Sequence, residues 1–223
     1  MKIILVGTAA QWREAPFDDP NCEIWVTGGI WGLVPRLDRY WEIHGTRTIE
    51  EIYLKEPGWL EFVQKLGPRF ICKDADPRWP DATVFDFQTA MKEFGTFFTS
   101  SISWMLATAI LANPEEIGVF GVNAAHGTEY GYQKPALCYF MGIALGKGIK
   151  VSVPETSELF KTPWIYAYEE PPPILKAMAE KKRQMGAKLK EQEFLIQSAT
   201  ENKGYCRGAL EMIEHFSNNF GGV

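Results

Sequence analysis

Histidine and cysteine are scarce in this chain, three and four among 223 residues. The cysteines (Cys22, Cys72, Cys138 and Cys206) lie far apart with no C-x-x-C pair. That spacing excludes a zinc framework and is not the pattern of a disulfide-stapled secreted domain. Long apolar runs are missing too. The N-terminal "IILV" is too short for a signal-peptide core, and no run approaches the roughly 18 residues of a membrane span. A soluble, cytoplasmic protein without a membrane partner is expected. Positive charge is not in excess either: 23 Lys+Arg stand against 28 Asp+Glu, a formal net charge of −5. This excludes a general nucleic-acid binder, although a local basic pocket needs only a few well-placed cations. No G-x-G-x-x-G fingerprint occurs, which argues against a standard NAD site. "GIALGKG" at 142–148 fails as a P-loop, because its glycine spacing is short, no Ser/Thr follows Lys147, and it ends a helix instead of opening one.

What is present reads as a globular domain. A hydrophobic content of 46% with 23% charged residues suits a packed chain, and 223 residues allow one sizeable core with an appendage. "KIILVG", "CEIWVTGG", "RYWEIH", "RFICKD", "EEIGVFGV" and "IKVSVP" are six short apolar runs with the character of buried strands. "GWLEFVQKL" is amphipathic, Ile102, Met105, Leu106, Ala109 and Ile110 make one apolar helical face, and "KPALCYFMGIALGKG" makes another. Alternating strands and helices predict a three-layer α/β fold with a mainly parallel sheet over 1–168. After "EEPPPI" the chain turns to charged helix, so 174–223 is expected to be a C-terminal helical extension. There Leu175, Met178, Lys182, Met185, Leu189, Gln192 and Ile196 alternate spacings of three and four. The segment either packs on its own domain or acts as an arm that joins copies of the chain into a homo-oligomer.

Ligands of parallel α/β sheets bind at the carboxyl ends of the strands, where helix N-termini present free N–H groups. The candidates are therefore Gly7, Thr8, Ala9 and Gln11 after the first strand, and Gly28 and Gly29 after the second. Asn123 and His126 follow the fifth predicted strand, and Ser157 the sixth. Ser100 and Ser101 open a helix; one reading is a structural cap, by Thr99 or Ser100, the other a contact to phosphate or ribose. "HGTEYGYQKP" (126–135) is the chemically densest stretch. Tyr130 and Tyr132 point the same way if it is extended, and a phenol can donate to a departing phosphate or stack beside a base. Glu42 and His44 share a face of the third strand, where a carboxylate can orient an imidazole as a general base, or both can be a solvated strand end. Trp12, Trp25, Trp31 and Trp41 read as core, with base stacking as the alternative.

"SSISWMLATAILANPEEIGVFGVN" is similar to a segment of the bacterial lipooligosaccharide-type sialyltransferases. Ser100 and Ser101 fall on that family's T-S, Trp104 and Met105 on its aromatic-Met pair, Gly121-Val122-Asn123 on G-I-D, and Glu129-Tyr130-Gly131-Tyr132 on S-Y-A-F. The signature also resembles that of 6-hydroxymethyl-dihydropterin pyrophosphokinase-like proteins. Residues 1 to about 165 resemble a group of bacteriophage proteins sharing the order "APFDDP…EIW", "PRLDRYWEIH", "SSI", "EYGYQKP", which would place the chain in a host cytoplasm. The sialyltransferase resemblance implies a Rossmann-like nucleotide-sugar pocket with Ser100 and Ser101 in its wall and Tyr130 and Tyr132 on the leaving phosphate. The family's N-G-P-S loop is "GTAAQW" here, and its aspartate is Asn123.

These observations together predict a Rossmann-like, nucleotide-binding transferase acting on a nucleotide-activated donor, glycosyl- or pyrophosphoryl-transferring. Gly7–Gln11, Gly28, Gly29, Ser100, Ser101, Asn123 and Ser157 would hold a nucleotide or nucleotide-sugar. Tyr130, Tyr132 and Lys134 would stabilise charge on the leaving group, and His44 or His126 would be the base. No metal ligands are assigned, and dependence on a divalent metal stays open. The alternatives are a non-catalytic phage protein that sequesters a nucleotide, such as a signalling nucleotide of host defence, and an assembly protein joined through its tail.

Overall fold

β-branched and aromatic side chains dominate the short apolar runs, and a sheet covered on both faces is where such runs settle. The computed structural model describes residues 1–124, 129–162, 165–168, 170 and 172–220, with the backbone alone for Glu129, Tyr130 and Phe220. In it the strands are β1 (Lys2–Val6), β2 (Cys22–Thr27), β3 (Arg39–Glu42), β4 (Phe70–Cys72), β5 (Thr83–Val84), β6 (Glu116–Phe120) and β7 (Lys150–Ser152). They form one sheet in the order β5-β4-β3-β2-β1-β6-β7, with every neighbouring pair parallel. Val6 is in register with both Val26 and Phe120, so the carboxyl ends of β1, β2 and β6 stand level. The strand order reverses direction at β1, between β2 and β6.

Helices cover both faces. Along β1, Ile4 and Val6 point to the side of α1 (Thr46–Glu51) and α2 (Trp59–Leu66), where Trp59, Val63 and Leu66 pack with Tyr40 and Phe70. Ile3 and Leu5 point to the side of α3 (Phe87–Phe94), α4 (Ser101–Leu111) and α5 (Lys134–Gly146). There Met105, Leu106 and Phe140 are fully buried, each stabilising by roughly 1.5–3 kcal/mol relative to exposure. Trp25 and Trp41 stack across β2 and β3 at 5.5 Å between ring centroids, and both belong to this core. The result is a three-layer, Rossmann-like α/β architecture.

The structure has elements that the sequence reading did not place. β5 is a two-residue edge strand with both residues exposed, too short to show a period. α1 and α3 occupy stretches to which no element is assigned from sequence. α3 is held by Asp86, whose carboxylate accepts from the Thr89 N–H at 3.0 Å, a cap that lies before an inconspicuous sequence.

The chain divides into two compact units, Met1–Lys161 and a second beginning at Thr162 that contains α6 (Pro173–Phe220), a single helix of 48 residues. Among the described residues, no helix is long and apolar enough to cross a membrane.

Candidate functional site

The turns after the strands converge on the carboxyl edge of the sheet. After β1 and β6 the two backbones touch. Gly7 donates to Phe120 O at 2.9 Å and Ala9 to Gly121 O at 2.8 Å. Gly121 has φ +63, and a Cβ there would sit 2.2 Å from Gly7 O. Glycine is therefore required by both conformation and space. The N–H groups of Gly7 and Ala9 are occupied by this contact, while Thr8 is exposed. Ala10–Glu14 is a 3₁₀ turn in which Gln11 is half-buried, its Oε1 buried without a hydrogen-bond partner among the described residues. Gly28 has φ +78 and lies against Thr8 Cγ2, which joins the turns after β1 and β2. Gly29 is exposed.

At the end of β3 a carboxylate is buried. Glu42 is 1% exposed, beneath the face carrying α1 and α2. Its Oε1 accepts the His44 backbone N–H at 3.1 Å and is hydrogen-bonded to the His44 Nδ1. β3 ends at Glu42, so the two residues do not share a strand face; a tight turn brings the imidazole back onto the carboxylate. Nor is this a solvated strand end, because one partner is fully enclosed while the imidazole is half-exposed. With the carboxylate as acceptor, the neutral imidazole would carry its proton on Nδ1 and present a lone pair at Nε2. The hydrogen bond that the imidazole donates to Glu42 holds the His44 pKa above its ordinary 6.5. The second carboxylate oxygen, Oε2, is buried and has no partner of ordinary hydrogen-bond geometry among the described residues. Tyr53, itself buried, senses it: burial first, then the Glu42 charge, pushes its phenol up.

Neighbouring groups extend this edge beyond the residues picked out from sequence. Tyr40 donates to Gly28 O at 3.4 Å and accepts from Trp59 Nε1 at 3.2 Å, which braces the turn after β2. Trp31 donates to Glu56 Oε2 at 2.8 Å and stacks on Phe62. Lys73, directly after β4, has its ammonium 3.9 Å from where a Gly45 Cβ would stand, beside the His44 turn. Lys73 was findable by the strand-end rule, which the sequence reading did not apply to β4. Tyr53 and Glu56 carry no such signal, since a 3₁₀ turn at Tyr53–Lys55 brings them in.

Across the sheet, two helices begin at the same edge. Ser100 is the cap of α4: its Oγ accepts Ser103 N–H at 3.3 Å, and Ser103 Oγ accepts the Ser100 N–H at 3.2 Å, a reciprocal capping box. Ser101 is the first helical residue and half-buried. Thr99 Oγ1 donates to Gln133 O at 3.4 Å, tying the start of α4 to the start of α5. Both helix dipoles thus direct partial positive charge to one neighbourhood.

Asn123, Lys134 and Ser157 come together around one loop. Asn123 Oδ1 accepts Glu158 N–H at 3.1 Å, and Lys134 Nζ donates to Glu158 O at 2.7 Å. Ser157 is buried, donating to Val122 O and accepting from Leu159 N–H, both at 3.2 Å. These bonds fix 156–161 against the end of β6. The backbone of Glu129–Tyr132 forms a 3₁₀ turn, not the extended segment on which a common face of Tyr130 and Tyr132 is premised. Tyr132 is 85% exposed. His126 lies outside the described residues, as does the side chain of Tyr130.

Among the described residues, no group of three or more His, Cys, Asp or Glu is placed to hold a metal. A broad concavity of about 830 Å³ opens at the opposite, amino edge of the sheet between Arg36, Arg39 and Arg69. Arg36 there is tied to the Phe17, Asp19 and Cys22 carbonyls and to Asp38, and Arg39 to Glu23. These bonds brace the strand starts; the imidazole and the helix N-termini are all at the other edge.

No family model and no curated protein matches the chain. Among solved structures, it is similar to the sialyltransferase CstII of Campylobacter jejuni in complex with the substrate analogue CMP-3FNeuAc. The identity is 15% over 68% of this chain and 79% of that one, with a TM-score of 0.46. It is also similar to that enzyme in complex with a trisaccharide acceptor and CMP, at 14% identity over 69% and 80% and a TM-score of 0.47. The likeness is one of loose chain course at low identity, and the chemistry of the chain stands on its own residues.

Proposed function

We propose that the protein is a transferase acting on a nucleotide-activated donor, with His44 as general base. The observation that carries this reading is the pairing of half-exposed His44 with fully enclosed Glu42 at the carboxyl edge of a parallel sheet. The carboxylate fixes the tautomer and raises the basicity of Nε2, the arrangement a base needs to take a proton from an acceptor hydroxyl. In the step, the acceptor oxygen bonds to the donor centre as its proton passes to Nε2, and the donor's bond to the nucleotide phosphate breaks. The phosphate leaves as an anion. The joined N-termini of α4 and α5, with Ser100 and Ser101, suit that charge, and Tyr132, Tyr130 and Lys134 would add donors. Thr8, Gln11, Gly28 and Gly29 would line the nucleoside. Asn123 and Ser157 would act by holding the 156–161 loop. His126 is the alternative base.

The test is to incubate the full chain with nucleotide sugars and nucleoside triphosphates plus acceptor alcohols, and to follow nucleotide release. His44→Gln should lower kcat by about 10²–10⁴-fold with donor KM little changed. Release unaffected by that substitution would sink His44 as the base. Nucleotide recovered intact after denaturation, without turnover, would make the protein a sequestering binder instead.

A further inference from the structure

We infer that α6 pairs with the α6 of a second copy of this chain, in antiparallel orientation. The helix has 48 residues, about 72 Å at 1.5 Å per residue. Leu175, Met178, Met185, Leu189 and Ile196 lie on a line of positions that alternates spacings of three and four through Lys182 and Gln192, and the line continues through Ala199, Lys203 and Cys206 to Leu210 and Ile213. All seven are exposed, Leu175 at 37% being the most covered and Ile196 at 66% the least. An apolar seam sustained over so many heptads is the surface that a second helix covers. Lys182, Gln192 and Lys203 interrupt it, and polar seam residues of this kind restrict register and orientation.

Charge selects the partner and its direction. Residues 173–190 carry six Lys/Arg and one carboxylate, Glu180, whereas 191–220 carry five carboxylates and two cations. Arg183 pairs with Glu180 and Lys176 with Glu170, but Lys181, Lys182, Lys188 and Lys190 form no ion pair with described residues. A parallel pair would set basic half on basic half and acidic half on acidic half. An antiparallel pair sets each basic half on the partner's acidic half. Packed helices stand 8–10 Å apart, about one Debye length at physiological salt, so the difference is felt along the whole seam. The two helix dipoles also oppose each other favourably in that arrangement. The helix is therefore complementary to itself.

Sedimentation equilibrium of the full chain at micromolar concentration tests this, and a dimer is expected. Lys181→Glu/Lys182→Glu/Lys188→Glu should raise its dissociation constant at least about tenfold at physiological salt, as should Glu201→Lys/Glu211→Lys/Glu214→Lys. The six substitutions combined should restore it, a rescue that misfolding or generic charge effects would not give. A monomer throughout would overturn the pairing. A monomer that sediments with anionic phospholipid vesicles would also overturn it and assign the basic half to a membrane surface. Unchanged affinity in both triple variants would overturn the antiparallel orientation.

Discussion

Gly7 and Gly121 meet backbone to backbone where the strand order reverses, the carbonyl of one lying where a Cβ of the other would stand. Both strands end there, and both run on into turns that carry candidate ligand groups. The contact therefore sets the height of the whole carboxyl edge.

Gly121→Ala should cost at least about 3 kcal/mol, because a left-handed φ and a backbone overlap must both be relieved. Gly142→Ala is the control. It lies in α5 with nothing within 4 Å of an added Cβ, so it should be neutral or stabilise by up to about 1 kcal/mol. Urea unfolding of the two variants beside the wild type measures both, and equal effects would discount the Gly7–Gly121 contact.

His44 should titrate above 6.5 in the folded protein, as followed by its imidazole NMR resonances, and Glu42→Gln should bring it down. A folded pKa above the unfolded one means that protonation favours folding. The stabilisation is fully present below 6.5 and disappears as pH rises through the raised value. His44→Gln should therefore destabilise more at pH 5.5 than at pH 9. A titration at or below 6.5 would contradict the pairing.

Ser100→Ala should destabilise by about 1 kcal/mol, since it leaves the Ser103 N–H without its cap. Ser101→Ala removes no cap and should leave stability within about 0.5 kcal/mol. If Ser101 lines the nucleotide site, that second variant should still lose the thermal shift that added nucleotide produces. Loss of stability in Ser101→Ala equal to that in Ser100→Ala would place its hydroxyl in the fold alone.

The layered architecture was readable because β1, β2, β3, β4 and β6 are rich in β-branched or aromatic residues, and their burial on two faces leaves a mark in composition. β5 left none, having two exposed residues and no period. Ser100 was readable as one of two caps because capping is local chemistry. The adjacency of Glu42 and His44 was visible as spacing, but the enclosure of Glu42 was not. That depends on Tyr53 and on the α1–α2 side of the core, which arrive later in the chain. The Gly7–Gly121 contact joins residues far apart in sequence and has no local signature. The turn that replaces the extended backbone expected for the two tyrosines was not legible either, because a 3₁₀ turn at Glu129–Tyr132 leaves no period in so short a stretch.

The strand order also acts as a ruler. His44 follows β3 and Asn123 follows β6, with β2 and β1 between them. Strand spacings of about 4.8 Å put some 14 Å between those two ends. A free phosphate or a single sugar cannot span that length. In the proposed reaction, a donor lying along the edge from the end of β3 to the end of β6 would therefore be a molecule of two linked parts, and the width of four strands would set its reach.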